Sequence, residues 1–247
     1  ACVWSAGSRS RGVDNTPPFR APHHTASLAA LVGGGSGTIV PGEISLACHG
    51  VLFLDELGEF PARTLDALRQ PLEEGEVALA RRGLSVTFPA AVQLVAASNP
   101  CPCGYAGDRF HSCRCQPAGV ERYRRRISGP LLDRFDLRVA VRRLDAEEVQ
   151  GPRGEPSSAV AARVAAARAL QVNRGALNRE LGRAALDELA IEEAATRLLA
   201  RAVDTSGLTA RGFDRIRRVA RTLADLESIE RTEERHVAEA LALRGSW

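Results

Sequence analysis

The 247-residue chain carries 33 basic residues, all arginine, against 30 acids, and it contains no lysine and no methionine. At 45% hydrophobic residues it can bury a real core, which excludes a disordered chain, and a net charge of +3 is too small to announce a nucleic-acid binder by itself. No run of 18 apolar residues and no basic, apolar leader is present, so neither a membrane span nor a secretory signal is expected. The default compartment is the cytoplasm. The absence of methionine, even at position 1, suggests a segment of a longer protein.

Residues 1–22 are rich in Ser, Gly, Pro and Arg and read as loop or as a short strand around CVWSA. From His24, HTASLAALV predicts a short helix, GGGSG a turn, and Val51–Leu54 a strand whose four apolar residues suit a parallel sheet. PARTLDALRQPLEEG places Leu65, Leu68 and Leu72 at spacings of three and four, predicting a helix closed near Gly75 and kinked or ended by Pro71. EVALA and LSVTFP around ARRG predict a β-hairpin, and AVQLVAAS a second buried strand that stops at Asn99. A cysteine-rich insertion, the segment ERYRRRI, a short helix LLDRF and a strand DLRVAV follow. Residues 145–158 have linker composition, and four helices follow: 158–172, 185–203, 210–226 and 232–243. A boundary is therefore expected near residue 150.

Five constellations carry possible chemistry. Asp55 and Glu56 end the first buried strand, which is either a solvated strand end or the acid pair of a nucleotide-hydrolysing core. Asn99 ends the next apolar strand, where a side-chain amide would orient an attacking water. A phosphate-binding loop needs G-x-x-x-x-G-K-[ST], and a sequence without lysine has none. Arg134 either forms an ion pair with Asp133 or Asp136, worth little at a surface, or reaches a neighbouring subunit's phosphate. Arg211 opens a helix whose Arg215, Arg217, Arg218 and Arg221 read mostly as a solvated face.

Two C-x-C pairs, Cys101 with Cys103 and Cys113 with Cys115, are separated by nine residues. Residues two apart in an extended chain point to one side, so each pair presents two thiolates and the four suit a tetrahedral Zn2+ site. Disulfides and free thiols are the alternatives, of which a cytosolic chain disfavours the former, and His111 is a substitute candidate ligand. Arg122, Arg124, Arg125 and Arg126 with Tyr123 form either a solvated helical face or a patch for DNA phosphates and bases. Arg81 and Arg82 at the hairpin tip are a second candidate.

Read together, PPFRAPHHTAS, VPGEISLACHGVLFLDELGEF, LRQPLEEGEV, LVAASNPCPCGY, SGPLLDRFDL and LTARGFDRIRRVARTLADL resemble the ComM/YifB family of magnesium-chelatase-like AAA+ ATPases, from about Pro17 to Arg244. The resemblance implies an α/β fold with a P-loop NTPase-like parallel-sheet core over residues 23–150, incomplete at its N-terminus, with 1–22 as the remnant of an upstream part. A helical lid domain over 151–247 would follow. It further implies a hexameric ring that uses ATP and Mg2+ to move along single-stranded or branched DNA during recombination and natural transformation. In the family pattern Asp55 and Glu56 are the Walker B acids, Asn99 is sensor 1, Arg134 the arginine finger and Arg211 sensor 2. The cysteines match a zinc-binding loop. Family members carry a Lon-protease-like domain and the phosphate loop upstream, so this chain alone is expected to turn over ATP negligibly. A magnesium-chelatase motor subunit and a non-catalytic zinc and DNA-binding module are the competing readings.

Overall fold

A computed structural model describes residues 16–35, 38–81, 84–206 and 208–245. The expected strand around CVWSA, Cys2, and Arg82 with Gly83 at the hairpin tip lie outside the described residues. The chain divides into two compact units between Phe135 and Asp136.

The first unit opens with β1 (Phe19–Arg20), α1 (Leu28–Val32), β2 (Gly33–Gly34), β3 (Val40–Pro41) and α2 (Glu43–Leu46). Ser27 starts α1 by accepting from the Ala30 N–H at 3.1 Å, as an N-cap hydroxyl does. Next come β4 (Val51–Leu54), α3 (Ala62–Asp66), α4 (Arg69–Glu74), β5 (Glu76–Arg81), β6 (Leu84–Pro89) and β7 (Gln93–Ala96). The sheet that matters for function is parallel, in the order β1-β4-β7, with Leu54 of β4 opposite Ala96 of β7. Leu52 and Leu54 point into a core with Leu31, Ile44, Phe60, Leu65 and Leu68. β5 and β6 form the expected antiparallel hairpin, from the Glu76–Pro89 pair to the Arg81–Leu84 pair.

The helix expected over 61–75 is two. The Pro71 ring lacks the N–H that would bond the Ala67 carbonyl, so the chain breaks at Ala67–Leu68 and restarts as α4, with Pro71 in its first turn. Gly75 closes α4 in the left-handed region at φ 72°, donating to the Pro71 carbonyl. α5 (Pro117–Arg124) and α6 (Gly129–Leu132) complete this unit.

The second unit holds α7 (Ala146–Gln150), α8 (Ser157–Asn173), α9 (Arg183–Asp187), α10 (Glu193–Ser206), α11 (Ala210–Leu226) and α12 (Glu234–Ala242). Its core joins Ala195 and Leu199 of α10, Ile216 and Ala220 of α11, and Val237 and Ala240 of α12. Two expectations change here. The segment DLRVAV is not a strand: among the described residues it pairs with no other strand, Arg138 donates its N–H to Leu243, and Val139 and Val141 are exposed. Alternating hydrophobicity is not enough without a partner edge. The helix expected over 185–203 is interrupted, because Ala190 and Glu192 pair through their backbones with Thr232. Within the linker composition, Asp145 and Glu148 cap the short α7 reciprocally.

Candidate functional site

Strand β4 delivers Asp55 and Glu56 to its carboxyl end, both exposed. Asp55 Oδ1 accepts the Glu56 N–H at 2.8 Å, and the Leu57 N–H reaches across to the Ala97 carbonyl at 2.8 Å. Between these bonds Glu56 is held at φ 51° and ψ 46°, a left-handed conformation that costs an L-residue about 1–2 kcal/mol. Such strain persists only where the surroundings over-determine it, and it clusters at functional sites.

The register between β4 and β7 places Asn99, three residues past the end of β7, at the same end of the sheet as Asp55. One group was missed in the sequence. His24, brought beside β4 by the chain leaving β1, puts its Nδ1 2.8 Å from Glu56 Oε2. Its ring lies between His23, with centroids 4.0 Å apart, and the edge of Phe60. The PHHT stretch carries no local signal for this, because the contact exists only once β1 pairs with β4. Two carboxylates and an amide at one sheet end offer oxygen ligands suited to a hard divalent cation and an acceptor for a water proton.

The Arg134 side chain is largely buried. Its guanidinium meets Glu73 and donates to the carbonyls of Pro130 at 2.6 Å and Arg69 at 3.2 Å, which ties α6 to α4. Arg211 lies in the first turn of α11, on the second unit, just after Thr209 caps the helix by accepting from Gly212 at 3.1 Å. The arginines that follow it are not a solvated face. Arg215 pairs with Asp136, Arg217 with Asp187 and the Leu186 carbonyl, and Arg218 clasps the Leu181 carbonyl with two nitrogens. Arg221 is buried. A planar guanidinium with five donors satisfies carbonyls left open at helix ends, which charge counting does not anticipate.

The basic candidates separate in the same way. Arg81 is exposed at the end of β5, and Arg122 and Arg124 are exposed on α5. Arg125 pairs with Glu121, and Arg126 donates to the Gly58 carbonyl and Glu59. Tyr123 is buried at 3% exposure, so its ring offers no face to a base. Burial raises its phenol above the ordinary value.

The cysteines converge. The Sγ atoms of Cys101, Cys103, Cys113 and Cys115 all lie within 4.8 Å of one another. Cys101 is 3.4 Å from Cys103 and 3.7 Å from Cys113, and Cys103 is 3.6 Å from Cys113. None of these is a disulfide. Four sulfurs around a tetrahedral Zn2+ with bonds of about 2.3 Å stand about 3.8 Å apart, so the donor set and its spacing fit that ion. The Ala106 N–H donates to Cys101 Sγ at 3.3 Å, and the backbone N–H groups of Tyr105 and then Arg114 bring the Cys103 thiol down to about 6, while the hydrogen bond with Cys103 pushes Cys115 up to about 12. Donors aimed at sulfur favour thiolate, the form a metal needs.

The family model described as magnesium chelatase, subunit ChlI, matches residues 2–149, and the model for the C-terminal part of that subunit matches residues 154–244. Competence protein ComM of Haemophilus influenzae is 47% identical over 92% of this chain and 45% of its own length. An uncharacterized protein of Mycobacterium tuberculosis is 46% identical over 92% of the chain and 46% of its own length, and YifB of Escherichia coli is 45% identical over 92% and 45%. The chain thus spans somewhat under half the length of these relatives. With a parallel α/β unit followed by a helical one, and both family models matched in that order, the chain belongs to the magnesium-chelatase family of AAA+ proteins and is similar within it to ComM and YifB.

Proposed function

We propose that the chain is the Walker B, sensor and zinc-loop portion of an ATP-driven DNA motor, acting as a hexameric ring on single-stranded or branched DNA in the manner of a branch-migration helicase. The observation that best supports this is the meeting of Asp55, strained Glu56 and Asn99 at one end of neighbouring parallel strands. Asp55 would hold the water shell of the ion in Mg2+-ATP, which supplies the transferred phosphoryl group and neutralises its charge. Glu56 accepts the proton of the attacking water, His24 fixes the direction of that carboxylate, and Asn99 orients the water. Arg134 acts on a neighbouring subunit after leaving Glu73, and Arg211 contributes a cation from the helical unit. Cys101, Cys103, Cys113 and Cys115 would hold Zn2+, which would close the loop that follows Asn99. The domain roles follow the same proposal, with the nucleotide core up to about residue 150 and a helical lid beyond.

The test uses the full-length protein with its phosphate-binding loop. ATP-dependent unwinding of branched DNA is expected, and Glu56→Gln should lower turnover by about 100- to 10,000-fold, the span of a lost general base. Turnover that survives in this variant removes the Walker B assignment. The family models also suit a motor subunit of magnesium insertion. That reading takes over if turnover is indifferent to DNA and is stimulated by a porphyrin-loading partner.

A further inference from the structure

The combination of arginine and aromatic that ERYRRR suggested is absent from α5, where Tyr123 is buried. It occurs instead on the outside of the cysteine loop. Phe110 is 64% exposed, and Tyr105, 40% exposed, stacks on His111 with ring centroids 4.8 Å apart and planes 24° from parallel. Arg109 beside Phe110 and Arg114 between the last two cysteines are both exposed, and neither forms an ion pair among the described residues.

Asp108, the one acid of this loop, is turned inward. Its Oδ1 accepts the N–H groups of Phe110 at 2.7 Å and His111 at 2.8 Å and approaches His111 Nδ1, leaving its side chain 12% exposed. Those bonds fix the backbone that carries the rings. The thiol cluster anchors the same loop from within, since Cys101 is fully buried. The outer face is therefore positive, aromatic and held by short local bonds, whereas an exposed phenylalanine on a floppy loop would gain little from stacking.

We propose that Tyr105, Phe110 and His111, flanked by Arg109 and Arg114, form a stacking platform for the unpaired bases of single-stranded DNA. The proposal rests on the DNA-motor reading for its occupant and adds the surface that grips the strand. Aromatic faces take any base, and arginines meet the intervening phosphates, which suits a motor that must hold every sequence. Duplex DNA buries its base faces in its own stack, so it should be held at this surface through phosphates alone.

The test measures binding of fluorescein-labelled oligothymidine to the 247-residue chain loaded with zinc, with helical content and zinc content followed for every variant. Phe110→Ala and Tyr105→Ala should each weaken binding about 5- to 100-fold, the effect of losing a stacked base. Phe110→Tyr and Tyr105→Phe should keep binding near the wild-type level, and zinc and helical content should stay unchanged in the alanine variants, so that the loss there is one of stacking and not of structure. Arg109→Gln and Arg114→Gln should each reduce the salt dependence of log affinity by about 0.7. Bromodeoxyuridine-substituted strands should photocrosslink within residues 105–114.

Wild-type binding that survives both alanine variants, with crosslinks elsewhere, overturns the platform and leaves the motor reading intact. If instead the alanine variants bind DNA normally but self-associate less, the rings belong to a protein interface and the platform is again overturned. Failure of the full-length protein to bind any DNA, or to respond to it in ATP turnover, removes the motor reading together with the platform.

Discussion

At Asp225 two large effects oppose one another. Its carboxylate is 1% exposed. Burial pushes its pKa up, and the hydrogen bonds from Arg174 and Asn178, together with the charges of Arg221 and Arg174, bring it below the ordinary value. Arg174 donates to both oxygens at 2.6 and 2.7 Å, Asn178 adds a bond at 2.8 Å, and Arg221 adds one at 3.1 Å. Arg221 completes the network on the carbonyls of Ile229 and Glu230. A depressed carboxylate contributes stability that is present above its unfolded value of about 3.9 and lost as pH falls through the folded value. Asp225→Asn should therefore cost about 3–5 kcal/mol near neutral pH by leaving Arg221 buried without its anion. Urea unfolding followed against pH should show the wild-type and variant curves converging in acid. Parallel curves down to the acid limit would mean that Asp225 is not the titrating group.

The elements show where sequence patterns carry structural information and where they stop. Strand β4 and the β5–β6 hairpin were legible because periodicity and turn residues act locally. The strand expected at DLRVAV was not, since a strand is a property of two segments and this one lacks its neighbour. His24 escaped for the same reason, as its contact with Glu56 spans β1 and β4. The run of arginines on α11 misled because guanidinium groups that reach carbonyls have the same composition as a solvated face. Gly58 likewise has meaning only against a distant helix: in the turn after Glu56 a Cβ would fall 2.3 Å from the Tyr123 ring of α5. Gly58→Ala should lower stability by about 1–3 kcal/mol through overpacking, read as a lower urea midpoint. Pairing it with Tyr123→Leu should return part of the loss, and strict additivity of the two would show that no clash exists between them.

Across the whole molecule, two units with separate hydrophobic cores should answer separately to metal removal. The cysteine cluster ties only the loop between β7 and α5, and its fit to Zn2+ rests on sulfur separations of 3.4 to 3.7 Å among Cys101, Cys103 and Cys113, with Cys115 within 4.8 Å of them. A loop this polar has little apolar area to hold it shut, so a metal held by the four thiolates would be its main constraint. The core around Leu31, Leu54 and Phe60 does not include those cysteines. The helical unit has its own buried set on α10, α11 and α12. The purified chain should contain about one zinc per molecule. Treatment with a chelator should raise hydrogen exchange across 101–115 and at the start of α5, while the amides of α11 and α12 keep their protection. Uniform loss of protection would mean that the two units unfold as one cooperative body. Unchanged exchange across 101–115 would mean that the four thiols hold the loop without an ion.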